Sequence, residues 1–548
     1  MYRPWPQIRV ALLALVGLWP ALDIRAENSW VFSGPETPLP AGATASEGEV
    51  AFGPDGEIYY VYSSSEFGPT DVLFTRSTDF GLTWSTPVKV DTDPPGRNTS
   101  NTPSVLGDPE GNVYVFFLDD RDGRPFTALR ANVSFDRGVT WLADDILVYG
   151  GTVCGTIPRF DVGQPGKVYA VCGDGIFRSL DSGLTWSPEM QLLPRGSESE
   201  VSADRAGNVY VVWEVLVNPD PPYESEIHFN VSHDGGDSWN SESRVFASVE
   251  DTGIFPLIAS GEGGHVYVQW FDKGTDEHFH YYVAASADFG ETFGPPVQMD
   301  QESRLIGPPD LEADCLGNVY FGWPANPARL NVSHDFGATW LSEPIDLYPA
   351  GHYSREVSLA ANSNGHVFAA YSVDRPYTQI GFNLSLDGGR TFLGPDLQVS
   401  SINSFDPDVV CDGQGHVAVR HNNFSITSLD TFLRIGHSEM GIRLASGVTY
   451  ETFVVVPPEG AHVPMTALIR NQASAPFIGV PAVLELLDRD GGLIGTVASK
   501  TFSLQPGRSR TRTITRHVPS SMAPGLYRFR LGLGSPIDDG ASFCLLKE

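Results

Sequence analysis

Carboxylates and arginines recur at one repeated position of this chain. That combination could hold a cation, bind a polar ligand or move protons. The position holds Glu49, Ser104, Arg159, Glu200, Leu257, Asp310 and Asp408, and Glu356 joins them if the seventh repeat unit carries a longer turn. Five of these eight residues are carboxylates and one is an arginine. Gathered round an axis they would make an acidic ring. The structural alternative is that each carboxylate caps backbone amides where a strand begins, because recurrence is what a structural role produces.

The segments just before these positions repeat less and so say more about chemistry. YPAGHYSRE (348–356) brings together His352, Tyr353, Arg355 and Glu356. DQESRLIGPPD (300–310) contributes Arg304 and Asp310, and GTIPRF (155–160) contributes Arg159. If one patch of the chain is a site, it is this one. Taken singly, each residue is equally a solvated loop side chain.

Two recurring phrases reveal the elements that must position these residues. The first reads STDFGLTW (77–84), SFDRGVTW (134–141), SLDSGLTW (179–186), SHDGGDSW (232–239), SADFGETF (286–293), SHDFGATW (333–340) and SLDGGRTF (385–392). It suits a tight hairpin. Gly81, Gly138, Gly183, Gly236, Gly290, Gly337 and Gly389 can supply a positive φ. Asp79, Asp136, Asp181, Asp234, Asp288, Asp335 and Asp387 can accept hydrogen bonds from turn amides. The closing Trp or Phe can bury a ring between neighbouring units. Seven copies can all do this, whereas a catalytic site needs one set of groups in one place.

The second phrase precedes the first in each unit, as in GEIYYVY (56–62), GNVYVFF (111–117) and GHVYVQW (264–270). Glycine turns open these β-rich runs. Each unit therefore predicts four strands in roughly 50 residues, the pattern of a β-propeller.

The motif S-x-D-x-G-x-T-W resembles the Asp-box, or BNR repeat, of the sialidase-like propeller superfamily. The resemblance covers about residues 28–440 and implies boxes at the hairpins between third and fourth strands, away from the central site. Sialidases of that superfamily use three arginines for the substrate carboxylate, a Tyr nucleophile, a Glu base and an Asp acid. Arg159, Arg304 and Arg355, with Tyr353, are the residues that could assemble such a set. The family's first arginine lies in an R-I-P motif of the first blade, where this chain reads ASEGEVAF with Glu49. IPRF (157–160) occurs only in the third unit, with the order changed. A ring of carboxylates would also repel an anionic sugar. The expected function is thus a propeller binding a glycan or an extracellular protein at its channel mouth. The rival is a glycoside hydrolase, a divergent exo-sialidase or one using a carboxylate pair.

Eight blades are favoured over seven. FDPDVVCDGQGHVAVRHNNFSITSLD (405–430) supplies three more strands, and SWVFSGPETPL (29–39) resembles the strand that follows a box. From 446 to 548 the boxes stop, and alternating segments predict a small immunoglobulin-like β-sandwich. Its arginines, Arg508, Arg510, Arg512, Arg516, Arg528 and Arg530, suit a solvated strand face. Residues 1–26, with Arg3 and Arg9 before VALLALVGLWPALDI, read as an export signal, so a secreted or periplasmic chain is expected. The mature chain, taken as 27–440 plus 446–548, should have no membrane span and act as a monomer.

A net charge of −32 argues against nucleic acid as a partner. Five cysteines make no disulfide scaffold. Cys154 and Cys172 could pair across a turn, while Cys315, Cys411 and Cys544 fit buried small side chains. No metal or cofactor is expected. DDRDG (119–123) lacks the further ligands of a calcium loop, and His278 and His280 of HFHYY share a strand face without a third ligand. The N-x-S triplets at Asn132, Asn230, Asn331 and Asn383 always precede a box, which marks them as repeat features.

Overall fold

The computed structural model describes most of residues 48–547, apart from loop segments of which the longest are 122–127, 151–157, 219–223, 247–252, 301–306, 447–452 and 534–538. It also describes short strands at Ile24–Arg25, Trp30–Phe32 and Thr37–Pro38. Every element among the described residues is a β-strand.

Seven four-stranded antiparallel sheets follow one another along the chain, spanning 48–89, 100–149, 159–191, 196–246, 254–298, 310–346 and 357–398. In each, strands pair in chain order, so the first and fourth are the edges. The second strands are apolar on both faces. Ile58–Ser64 and Val113–Asp119 are buried along their whole length, as a strand covered by a neighbouring sheet on either side must be. Tyr59, Val61, Phe74, Val105 and Val115 form one core between the first two sheets, and Tyr320, Leu330, Val357 and Tyr371 share another between the sixth and seventh.

An eighth sheet joins the two ends of this region. Its strands Ser404–Cys411, His416–Phe424 and Leu429–Ser438 pair in order. The fourth place is taken from the N-terminal side, where Trp30 pairs with Ser438 and Phe32 with Gly436. Ala418 and Val410 of this sheet pack on Val50, Tyr60 and Tyr62 of the first.

The repeated octapeptide closes each hairpin between third and fourth strands. In the first copy Asp79 Oδ1 accepts the Thr83 amide at 2.8 Å, Asp79 Oδ2 accepts the Thr83 hydroxyl at 2.6 Å, and the Gly81 amide donates to Ser77 Oγ at 2.8 Å. The same bonds recur at Asp136, Asp181, Asp234, Asp288, Asp335 and Asp387. These bonds favour the charged carboxylate. At the fully exposed Asp234, bonds from Ser238 hold the group down at about 2. The seven glycines of the motif have φ between 76° and 85°. The closing rings reach back to the preceding sheet: Trp141 meets Phe74 edge-on at 4.8 Å, and Phe293 meets Phe229 at 5.0 Å.

A second bond fixes which end of the sheet the octapeptide occupies. The residue after its aspartate donates its amide to the glycine carbonyl of the first hairpin, as Arg137 to Gly111 at 3.1 Å and Phe336 to Gly317 at 2.9 Å. Both hairpins therefore lie at one end of the sheet, and the start of the first strand lies at the other. The N-x-S asparagines serve the same scaffold. Asn132 and Asn383 are buried, and their Nδ2 atoms donate to the Val90 and Leu347 carbonyls at 2.8 and 3.1 Å.

From Met440 onward the strands form two further sheets. Met440–Ser446, Gly460–Asn471 and Ser509–Pro519 make one. Phe453–Val456, Asp539–Lys547, Gly525–Leu533, Phe477–Asp488 and Leu493–Leu504 make the other. They enclose a core containing Val463, Met465, Val480, Phe529 and Leu545. Two cysteines correct the expectation of inert buried thiols. Cys315, in the first hairpin of the sixth sheet, is bonded to Cys544 of the C-terminal strand. Cys172 is also in a disulfide, while Cys154 lies outside the described residues. Cys411 alone among the described cysteines is free.

Gly138 has φ +77°, and a Cβ there would stand 2.5 Å from the Phe74 ring. Gly138→Ala is expected to lower the calorimetric melting temperature by about 2–5 °C. Gly495→Ala, where nothing lies within 4 Å, should move it by less than about 1 °C.

Candidate functional site at the channel mouth

The first strands of successive sheets are neighbours, and polar side chains join them. Glu49 Oε2 accepts the Val105 amide at 3.2 Å, Asp161 Oδ2 the Ala203 amide at 2.8 Å, Asp310 Oδ2 the Leu359 amide at 2.7 Å, and Ser358 Oγ the Val409 amide at 3.1 Å. Ser202 and Ser260 share a hydroxyl–hydroxyl bond of 2.7 Å. These contacts run round the inner edge of the ring and bring the sequence-derived residues to its mouth.

Strand register tests the ring residue by residue. Glu49 faces Val61, Ser104 faces Phe116, Arg159 faces Val171, Glu200 faces Val212, Leu257 faces Gln269, Asp310 faces Gly322 and Asp408 faces Arg420. Each partner is the fourth residue of its V-Y-V run, so these seven are equivalent. Glu356 is not. In the seventh sheet Ser358 faces Ala370 and takes the ring position, while Glu356 stands just before the strand Val357–Ala361. Assuming a longer turn displaced the alignment by two residues. Glu356 still reaches the mouth, where its Oε2 accepts the Asp406 amide at 2.7 Å.

The carboxylates divide between the two expected roles. Glu49 and Asp310 hold backbone amides, and Asp310 Oδ1 also accepts the Leu311 amide at 2.8 Å. Glu200 instead pairs with Arg159 Nε at 2.8 Å. Asp408 lies 3.4 Å from Arg420 Nε, and Asp406 lies 3.3 Å from Arg420 Nη1. Burial raises the whole group. Glu49 stands at about 7, with Asp408 adding to the effect of burial. Glu200 also stands at about 7, burial outweighing the attraction of Arg159, and Asp310 stands at about 6. Glu356 and Asp408 are raised too, chiefly by burial. Glu49 and Glu200 are therefore close to half protonated near neutral pH.

The sequence reading missed a second layer. Two residues further along their strands lie Asp161, opposite Tyr169, and Glu312, opposite Tyr320. Burial lifts Asp161 to about 6, and burial together with Asp310 and Asp161 lifts Glu312. An acidic residue two places after a ring position was the available signal. Arg420 was also missed, because it belongs to a second strand and meets Asp408 only through register.

The rim is built from strained backbone. Thr102, Glu198, Phe255 and Asp406 have φ of 50°, 44°, 51° and 53°. Each lies two residues before a ring position, inside a β-bulge. Left-handed backbone at non-glycine residues is costly and concentrates at sites of function. Here it turns Glu198, Phe255 and Asp406 outward, and Phe255 is 48% exposed.

The arginines expected for an anionic sugar do not form a free cluster. Arg159 is paired with Glu200. Arg355, exposed at the rim, has Nη2 3.7 Å from Asp374 Oδ2. Arg304 lies outside the described residues. Tyr353 is 54% exposed, and its carbonyl accepts the Asp374 amide at 3.1 Å.

Candidate metal positions resolve into internal ion pairs and hydrogen bonds. Asp71, Asp91 and Asp93 converge, but Lys89 Nζ stands among them at 3.3, 2.7 and 2.8 Å. The side chain supplies the cation itself. In DDRDG, Arg121 bonds Asp119 at 2.6 Å and Asp145 at 2.8 Å. His280 bonds Asp300 at 3.2 Å and Asp276 at 3.1 Å.

Among solved structures the chain is similar to a Dyadobacter fermentans protein of unknown function (13% identity, 76% of this chain and 99% of that one, TM-score 0.37). It is similar to the polysaccharide lyase PL25, an ulvan lyase (12% identity, 75% and 96%, TM-score 0.40). It is also similar to the Hadza microbial sialidase Hz136 (17% identity, 70% and 64%, TM-score 0.32). No protein-family model matches the chain, and no curated protein matches it in sequence. The ring arrangement rests on the strand pairing and the bonds between sheets.

Two measurements follow from these electrostatics. Raised carboxyls favour folding only while protonated, so their contribution is complete below about pH 4 and is lost as pH rises through about 6–7. Five octapeptide aspartates, Asp79, Asp136, Asp181, Asp234 and Asp387, are held low, so they act oppositely and their contribution is lost in stronger acid. The melting temperature should peak near about pH 5 and fall toward about pH 8, and Glu49→Gln should flatten that fall. A pH series by calorimetry reads both. Separately, Lys89→Met leaves three carboxylates facing one another and should destabilise by about 3 kcal/mol. Calcium at about 1–10 mM should restore part of the loss in the same assay.

Proposed function

We propose that the protein is an exported, eight-bladed Asp-box propeller that binds a neutral or amine-bearing glycan at its channel mouth. One observation carries this reading: the described mouth arginines each have a carboxylate beside them, Arg159 with Glu200 and Arg355 with Asp374, while Glu49, Glu200 and Asp310 sit near the point of half protonation. Such carboxyls can donate to hydroxyls when protonated and attract an ammonium when charged. They offer little to a sugar carboxylate. The exposed rings of Phe255 and Tyr353 add apolar surface at the rim.

Export is supported by the basic and then apolar character of residues 1–26 and by disulfides at Cys172 and Cys315–Cys544, which persist in oxidising compartments. Eight blades are supported by the pairing of Trp30–Phe32 with Leu429–Ser438. The assigned units are the propeller, 27–440, and an immunoglobulin-like sandwich, 446–548, in a monomer.

A second reading has its own observation. Glu200 and Asp310, raised to about 7 and about 6, are suited to general acid and base roles. On that reading the protein is a glycosidase using a carboxylate pair.

A panel of fluorogenic glycosides separates the two. The expected outcome is no turnover, followed on a glycan array by binding to neutral or amino-sugar glycans that Glu200→Gln and Asp310→Asn weaken about tenfold or more. Release of sialic acid from a 4-methylumbelliferyl sialoside would overturn the proposal, and hydrolysis of a neutral glycoside would establish the second reading.

A further inference from the structure

Charge is divided unevenly along this chain. Residues 446–548 hold ten of its 35 basic residues but only eight of its 67 acidic ones. The rest of the molecule is strongly acidic, so a negatively charged partner is repelled everywhere except at the C-terminal sheets.

Within those sheets the basic residues concentrate on one strand. Ser509–Pro519 pairs with Gly460–Asn471 on one side, and no described strand pairs with its other side. Every residue from Ser509 to Arg516 except Ile514 is exposed. Register fixes its faces. Arg510 stands opposite Ile469, Arg512 opposite Ala467, Ile514 opposite Met465 and Arg516 opposite Val463. Ile469, Met465 and Val463 are core residues, so Arg510, Arg512 and Arg516 lie on the core-facing side of an edge strand. None of the three makes an ion pair with a described residue. Across the turn 505–508, the strand Leu493–Leu504 is the edge of the other sheet and presents Lys500 on its own core-facing side, in line with the buried Phe502 and Leu504.

A long unpaired edge exposes a row of backbone donors and acceptors that invites another strand. Charges pointing inward reject an apolar strand, or a second copy of this basic one, because burying them without partners is costly. They do not reject a strand whose alternate residues are acidic. In an antiparallel pair, side chains directly opposite one another are about 5 Å apart, within reach of an arginine–carboxylate pair. The spacing of Arg510, Arg512 and Arg516, read in the reverse direction of an antiparallel strand, then calls for carboxylates at i, i+4 and i+6 on the incoming strand.

We propose that the free edge of Ser509–Pro519 is a docking site for an extended acidic segment of a partner protein. The segment adds as a fourth strand and pairs alternate Asp or Glu side chains with Arg510, Arg512 and Arg516. Backbone bonds supply the pairing and the arginines select the partner. The site is separate from the channel mouth and needs no activity there.

The test is anisotropy of a fluorescein-labelled eleven-residue peptide alternating Glu and Thr, titrated with the full-length protein. Saturable binding is expected, weakening about tenfold between about 50 and 500 mM salt. Arg510→Glu with Arg512→Glu should abolish it while leaving the melting temperature unchanged, since both side chains are exposed. If that variant melts lower, Arg510→Gln with Arg512→Gln is used, and binding should still fall at least fivefold. A peptide N-methylated at alternate amides keeps its charge but cannot pair as a strand, and it should not bind. Equal binding of the methylated peptide, or equally tight binding of oligo-guluronate or single-stranded DNA, would overturn strand addition in favour of a general polyanion surface. Absence of binding by the parent peptide would also overturn it.

Discussion

An open sheet leaves one edge of its first strand without a partner, and a ring of sheets brings those edges together around the axis. That constraint shapes the site. The inward amides of Val105, Ala203, Leu359 and Val409 find no neighbouring strand, and each is met by a side chain of the preceding sheet: Glu49, Asp161, Asp310 and Ser358. A buried amide left unmet costs about 1–3 kcal/mol, so these acceptors hold the ring closed. They also crowd acidic groups where desolvation raises them. The interaction that closes the ring thus creates groups able to exchange protons near neutral pH.

The competition between structural and chemical roles is settled differently from sheet to sheet. Asp310 gives both oxygens to amides, which fixes it in place while each oxygen keeps a further lone pair for a ligand. Glu200 has an arginine instead, and an arginine–carboxylate pair at a wet rim can open to a ligand more cheaply than a backbone bond. Serine at 358 bonds an amide without charge, which shows that closure needs an acceptor but no carboxylate. Where a carboxylate is present its charge is surplus to the structural task, and that surplus is what a ligand could use.

Much of the fold was legible because one sequence phrase maps onto one set of bonds. Asp, Gly and Ser or Thr at fixed spacing can satisfy only a tight turn, and the V-Y-V runs can satisfy only a strand covered on both faces. The ring position was legible for the same reason, since counting from a glycine preserves strand register. It failed at Glu356, where loop length differs and register passes to Ser358. Arg420 and the bulged Glu198, Phe255 and Asp406 were not legible. Their placement depends on which residues face each other across strands and on local positive φ, and neither leaves a local pattern. Cys315 and Cys544 lie 229 residues apart, and nothing near either one names the other.

That disulfide bears on how the two regions work together. Cys315 sits in a hairpin at the end of the sixth sheet away from the mouth, and Arg528 of the C-terminal sheets is half-buried near Asp314 of the same hairpin. The C-terminal sheets are therefore held on the face opposite the candidate site, where they cannot cover it. A ligand entering the mouth meets an acidic ring, while a partner at the far face meets an arginine-lined edge. Opposite charge at opposite ends keeps each partner from competing for the other's surface, because what attracts one repels the other.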